Sequence, residues 1–275
     1  MKLATIRTAD GTRAVRVDGD TLVDLGAADL GEFLARDDWA DAAASASGET
    51  YAASGVEFAT LVPRPSKVVC VGLNYKTHIT EMGRPLPDHP TLFTKFSDTL
   101  IGANDDILRP DESDEFDWEA ELTVVIGKPV RRAKGAEAEA AIAGFTVMND
   151  VTCRDWQFRT REWTQGKNWD STTPVGPYLV TPDEVGGVRP ALAITTTVDG
   201  QVMQSDNTGD LLFDPVALVE YVSTMIRLNP GDLIATGTPG GVGHARKPAV
   251  YLAAGQQVTC AIEGIGAVSN TVVAG

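Results

Sequence analysis

The 275-residue sequence predicts a mainly β fold of the α+β class, a mixed sheet arranged as a sandwich, roll or barrel with few helices. Two observations carry that expectation. From Lys67 onward, short apolar or alternating runs recur at residues 68–71, 92–95, 122–126, 143–148, 178–181, 192–198, 201–204, 233–236 and 257–262, and runs of that length bounded by Gly, Pro and Asp read as strands. Only two convincing helices stand beside them, so the βαβαβ alternation of a doubly wound sheet is missing. A chain of this length, 43 % hydrophobic, can bury a full core.

Residues 1–62 read as a small N-terminal α+β module. Asp10-Gly11 and Asp18-Gly19 are hairpin-turn signals separating short runs at 3–7, 14–17 and 21–25, and a helix-like segment follows over 30–44. Pro63 and Pro65 mark a linker that neither a helix nor a central strand tolerates. The larger domain, 63–275, starts there. Asp199-Gly200 is another hairpin turn. One helix is expected over 152–164, where Thr152 and Asp155 have the spacing of a capping box, and the other over 215–227, with Asp214 as N-cap and Pro215 at the first helical position.

The chain carries 23 Lys and Arg against 38 Asp and Glu, a formal charge of −15. Nucleic acid and anionic membrane surfaces are therefore disfavoured partners, since both need clustered basic residues. No apolar run approaches the ~20 residues of a membrane span, and the start of the chain leads into strand-like sequence without a signal peptide, so a cytoplasmic protein is expected. Cys70, Cys153 and Cys260 are widely spaced in apolar contexts, which suits core thiols rather than disulfides or a CxxC site. A small anionic substrate would need local positive groups inside so negative a molecule.

Residues 111–150 hold the densest chemistry. The acids Asp111, Glu112, Asp114 and Glu115 read as a solvated turn. Glu119 and Glu121 fit that reading less well, because they enter the apolar run 122–126, which looks buried on both faces. In a strand they would share one face with Cβ atoms roughly 6 to 7 Å apart. Buried carboxylates need a cation or a proton. Asp150 ends the next β-rich run and is a natural third ligand, and an all-oxygen set selects Mg²⁺ or Mn²⁺ before Zn²⁺.

His78 and Glu81 lie three apart in a helical-looking turn, a plausible general base with its orienting carboxylate, although such a pair is also commonplace on surfaces. Residues 83–90 cannot be regular structure and are either a lid or a connector. Lys167 stands alone in a loop, usually the mark of a solvated charge. Arg154 and Gln157 are one helical turn apart just beyond Asp150 and, with Lys95 and Thr238, are candidates for substrate binding. The run 237–243 is glycine-rich but is neither a P-loop nor a dinucleotide fingerprint; it suits a close backbone approach to a small ligand, or a plain turn. No Gly-x-Ser-x-Gly elbow and no His-Glu-x-x-His motif is present.

Taken in order, these blocks resemble the fumarylacetoacetate hydrolase family: Gly72-Leu73-Asn74-Tyr75 with His78-x-x-Glu81, Glu119-x-Glu121, the run 149–157, Gly166-Lys167, and the run 235–243. The resemblance spans roughly residues 64 to 275. It implies a β-roll or barrel catalytic domain of that family's C-terminal type, usually a homodimer, with one Mg²⁺ or Mn²⁺ per subunit held by Glu119, Glu121 and Asp150. It further implies His78 and Glu81 as a water-activating dyad on a closing lid, and Lys167 near the reacting carbonyl. The tyrosine-degradation branch has a fourth carboxylate where this chain has Val71. The sequence thus looks like the branch of acylpyruvate hydrolases, oxaloacetate decarboxylases and 2-hydroxyhepta-2,4-diene-1,7-dioate isomerases. The expected reaction is C–C hydrolysis of an acylpyruvate-type 2,4-dioxo acid through a metal-bound enolate, as in aromatic catabolism. Decarboxylation or isomerisation on the same site is the alternative, and an organic-acid-binding module with a structural metal is a remoter one.

Overall fold

Strand Ala120–Ile126 is buried at every position and so is its antiparallel neighbour Ile142–Asn149. Alternate residues of the two feed different cores. Leu122, Val124, Phe145 and Val147 pack into one, while Val125, Ala143 and Met148 pack into another. A strand covered on both faces has no polar side, which is why the pair reads as nearly continuous apolar sequence. Each fully buried Val, Leu or Phe here contributes about 1.5–3 kcal/mol.

The computed structural model describes residues 1–81, 83 and 85–275, with Glu81 represented by its backbone alone. The pair sits inside an 11-stranded mixed sheet. On one side Ile142–Asn149 pairs with Thr173–Val180, which pairs with Lys2–Thr8 and, through it, with Gly11–Asp18, Thr21–Asp24 and Thr50–Ala52. On the other side Ala120–Ile126 pairs with Leu233–Ala235, which runs parallel to Val68–Gly72, and Thr91–Lys95 closes that flank. The strands of the first 62 residues thus extend the sheet that carries the rest of the chain.

A 5-stranded sheet runs in the order Gln201–Asn207, Ala193–Val198, Gln257–Ile262, Gly266–Ala274 and Ile107–Arg109. Its Ile194, Cys260, Ile262 and Val268 share the first core with Val219 and Val222 of helix Pro215–Met225. The second core is capped by Leu30, Phe33, Leu34 and Trp39 of two short N-terminal helices. The strand order of neither sheet returns on itself, so among the described residues there is no closed barrel, and the packed-layer form of the expected fold is the one adopted.

Local chemistry explains where helices form and where they break. Helix Pro215–Met225 starts as expected, with Asp214 Oδ1 accepting the Ala217 N–H at 2.9 Å. The single helix expected over 30–44 is two, Leu30–Leu34 and Trp39–Ser45. The chain turns between them, where Arg36 pairs with Asp38, and the Trp39 indole donates to the Gly127 carbonyl at 3.1 Å. The helix expected over 152–164 is likewise corrected. Thr152–Cys153 is a strand paired with Phe116–Asp117, and only the single turns Arg154–Gln157 and Thr164–Lys167 are helical. The Thr152 hydroxyl donates to the Asp150 carbonyl instead of capping. Gly166 lets the two turns touch, because a Cβ there would lie 2.5 Å from that of Gln157.

The three cysteines are free and buried. Burial pushes the Cys153 thiol up to about 11 and the Cys260 thiol up to about 12. A thiol reagent at pH 8 should therefore label the native protein slowly and modify all three on denaturation. Because an unfolded thiol ionises near 9, these two groups favour the fold fully below that pH. Their contribution is lost as pH rises from 9 through 11 and 12. Rapid native labelling of more than one thiol at pH 8 would contradict this placement.

Candidate active site

The register of the central pair builds the site. Ala120 lies opposite Asn149 and Glu121 opposite Met148, so the start of one strand meets the end of the other. Two further bonds lock the junction: the Glu119 N–H donates to Asn149 Oδ1 at 3.0 Å and the Asp150 N–H to the Glu119 carbonyl at 2.9 Å. Glu119, Glu121 and Asp150 consequently converge, with one ligand atom of each lying within 4.8 Å of the others. All three are buried.

Three buried cations surround them. Lys167 Nζ lies 2.8 Å from Glu119 Oε2 and 2.7 Å from Asp150 Oδ2, and Lys95 Nζ takes Asp150 Oδ1 at 2.8 Å. Arg154 Nη1 lies 2.6 Å from Glu119 Oε1, its Nε 2.8 Å from Asp117 Oδ2, and Nη1 also donates to Gln157 Oε1 at 3.0 Å. Arg154 Nη2 is buried and has no hydrogen-bond partner among the described residues. Glu121 has no such cation among the described residues; the Gly237 N–H donates to its Oε2 at 2.8 Å.

These contacts set the charge states. Burial, then the nearby charges of Asp150 and Glu119, hold the Glu121 carboxyl well above its usual value. Burial also works against ionised Asp150, yet Lys167 and Lys95 overrule it and hold that carboxyl below the ordinary range. Lys167 and Arg154 are pushed up by their carboxylate neighbours despite burial, so both stay charged. Among the described residues, four buried carboxylates, Asp117 included, face three buried cations. An all-oxygen cluster with one charge in excess, its repulsion concentrated on Glu121, fits a hard divalent cation. With such an ion the centre would turn from net negative to net positive and attract an anion.

A cavity of about 290 Å³ opens onto this cluster. His78, Glu119, Glu121 and Lys167 line it, as do Arg154, Gln157 and Thr238. His78 is half-buried on helix Lys76–Glu81, whose first turn is anchored by the Thr77 N–H and hydroxyl on Asp210. Its expected partner, the Glu81 side chain, lies outside the described residues, as does Arg84 in the segment 83–90. Residues 85–90 are irregular, as expected.

Several placements differ from the expectations. Lys167 is not in a solvated loop: it closes a helical turn, 1 % exposed, and bridges two carboxylates. Lys95 is absent from the cavity wall and instead bonds Asp150 and the Val151 carbonyl. The Gly237 amide, expected to face a ligand, is spent on Glu121, and Thr238 accepts from Gln204 Nε2 at 2.8 Å. Gly237 has φ +104°, and a Cβ there would meet the Val71 carbonyl at 3.0 Å, so the close approach is one of backbone to backbone.

Sequence reasoning missed Asp117 and His244. Asp117 is fully buried and accepts from the Trp118, Gly243 and His244 N–H groups besides Arg154. It ties the acid run to the glycine-rich loop. Its one available signal was its place two residues before Glu119, within acids that otherwise read as surface.

A buried carboxylate cluster at the ends of two central strands, under a histidine-lined cavity, has the make-up of an enzyme site. The family model for the fumarylacetoacetate (FAA) hydrolase C-terminal domain matches residues 67–273, and the chain belongs to the fumarylacetoacetate hydrolase family. It is 47 % identical over 222 residues to the oxaloacetate tautomerase FAHD2A, mitochondrial, of Bos taurus, covering 80 % of this chain and 70 % of that protein. Among solved structures it is similar to a fumarylacetoacetate hydrolase of Exiguobacterium antarcticum, with TM-score 0.88 and 32 % identity over the whole of both chains. It is also similar to the 2-hydroxyhepta-2,4-diene-1,7-dioate isomerase of Mycobacterium marinum, with TM-score 0.79 and 31 % identity over 100 % of this chain and 98 % of that one.

Proposed function

We propose that the protein interconverts the keto and enol forms of a small 2-oxo dicarboxylic acid of the oxaloacetate type. The observation that carries this is Arg154, which lines the cavity together with His78 and whose buried Nη2 has no hydrogen-bond partner among the described residues. Such a donor is satisfied when an anion arrives. The similarity to a tautomerase named for oxaloacetate supports the choice of acid.

Arg154 binds the carboxylate beside the 2-oxo group, and Gln157 fixes the guanidinium plane. Lys167 and Lys95 keep Asp150 ionised, and Lys167 and Arg154 hold the Glu119 carboxylate in place. His78 takes a proton from C3 and gives it up to the oxygen on C2, so one proton moves and no heavy-atom bond breaks. A divalent cation, Mg²⁺ or Mn²⁺, held by Glu119, Glu121 and Asp150 would supply Lewis-acid stabilisation of the charge on that oxygen.

Cleavage of an acylpyruvate is the second reading, favoured by the apolar wall of Phe93, Phe158 and Trp163, which suits an acyl tail. There His78 would draw the proton from a water that attacks the distal carbonyl. A homodimer acting on an anionic small molecule, with no nucleic acid or membrane partner, completes the proposal. No helix among the described residues is long and apolar enough to cross a membrane. A cytoplasmic location is proposed, and cell fractionation decides it against the mitochondrial place in the bovine relative's name.

The test is a product assay over oxaloacetate, acetylpyruvate and 2-hydroxyhepta-2,4-diene-1,7-dioate with Mg²⁺ or Mn²⁺. Ketonisation of enol-oxaloacetate should be fastest, fall with EDTA and return with added ion. Full resistance to EDTA would remove the cation from the mechanism. No turnover of any of the three acids would leave an organic-acid-binding module.

A further inference from the structure

The family motif quoted above ends at Gly243, and the next residue, His244, stands on the wall of the same cavity. Its backbone is fixed. The Gly243 and His244 N–H groups donate to Asp117 Oδ1 at 2.7 Å and Oδ2 at 3.0 Å, the carboxylate that also holds Arg154.

The imidazole is held as firmly. Its Nδ1 lies 2.9 Å from the Tyr251 hydroxyl and 3.8 Å from Glu115 Oε2, and its ring lies against that of Phe158 with centroids 5.2 Å apart. Burial, then the charge and hydrogen bond of Glu115, push the Tyr251 phenol up to about 12, so it keeps its proton. With that hydroxyl donating to Nδ1, the imidazole proton sits on Nε2 and the ring plane is set. Nε2 is the nitrogen left over, with no hydrogen bond among the described residues. The side chain is 41 % exposed, at the open end of the cavity rather than its floor.

An imidazole oriented in this way offers Nε2–H to an anion as a hydrogen-bond donor. Arg154 and the acid cluster would already hold the 2-oxo end of a substrate, and Phe158, whose ring meets that of His244, lines the same cavity. We propose that His244 is a specificity-determining residue that selects 2-oxo acids bearing a second, distal carboxylate. This rests on reading the cavity as a 2-oxo acid site.

Two unreactive probes of equal length, 2-oxoglutarate and 2-oxopentanoate, differ in that distal carboxylate alone. Titration calorimetry of the Mg²⁺-supplemented protein should show the dicarboxylate bound about tenfold more tightly. His244→Ala should cut that preference below about threefold and leave 2-oxopentanoate binding unchanged within about twofold. His244→Gln, which keeps a donor, should restore part of the preference, and Tyr251→Phe should loosen it. In turnover of oxaloacetate, His244→Ala should raise KM about tenfold with kcat within about threefold. An unchanged preference, or equal weakening of both probes, overturns the inference, as does a loss in kcat at constant KM. If the wild type shows the preference but no oxaloacetate turnover, the tautomerase reading falls and this one stands. If it binds neither probe, both fall.

Discussion

Replacing Lys167 by methionine is expected to cost about 3–5 kcal/mol of stability, the usual consequence of removing one partner from a buried ion pair. Methionine keeps most of the volume, so the loss isolates the charge. Glu119 Oε2 and Asp150 Oδ2 each lose an ammonium at 2.8 and 2.7 Å, in a cluster that already holds more carboxylates than cations. Urea unfolding reads this directly, and in a chain of this size the melting temperature should fall by roughly 6–20 °C. The deficit should shrink when Mg²⁺ is present, because an ion on the three acids replaces part of the missing charge. A change below about 1 kcal/mol would show that the lysine is dispensable to the cluster and that the pairing is incidental.

His78→Ala is expected to lower turnover about 10²- to 10⁴-fold, the range for loss of a general base. Binding of an unreactive 2-oxo acid should persist, because the groups proposed to hold it, Arg154 and the acid cluster, sit on other elements. His78 is carried by helix Lys76–Glu81, whereas Arg154 follows the strand Thr152–Cys153. Undiminished turnover in this variant would refute the assigned base and pass the role to another residue of the cavity. Loss of 2-oxo acid binding together with activity would instead mean that the helix shapes the pocket.

What was legible in the sequence follows from how local each signal is. The strands were legible because burial on both faces forces apolar runs, and 122–126 and 143–148 lie inside the strands observed there. The acid triad was legible because Glu119 and Glu121 enter such a run, where charge has no local excuse. Lys167 was not: a single lysine announces burial only once its partners are known, and those lie 48 and 17 residues away. The helix over 152–164 failed for a related reason. Its spacing suits a capping box, but Arg154 is drawn to Asp117 and Glu119, and those buried pairings outweigh a propensity worth about 1 kcal/mol. Strand Gly266–Ala274 was passed over although Val268, Asn270 and Val272 alternate inward along it.

Strand Thr173–Val180 is where the opening residues of the chain matter most. Its outer rim is taken by Lys2–Thr8, in the register Lys2 to Val180 and Ala4 to Tyr178. Stripped of that cover, the remainder would present a bare ladder of amides and carbonyls beside the strand Ile142–Asn149, a template for pairing with any extended peptide nearby. A fragment trimmed to the family-matched part, 67–273, would therefore begin life as a self-adhesive object, and the short opening hairpin serves as its selvedge.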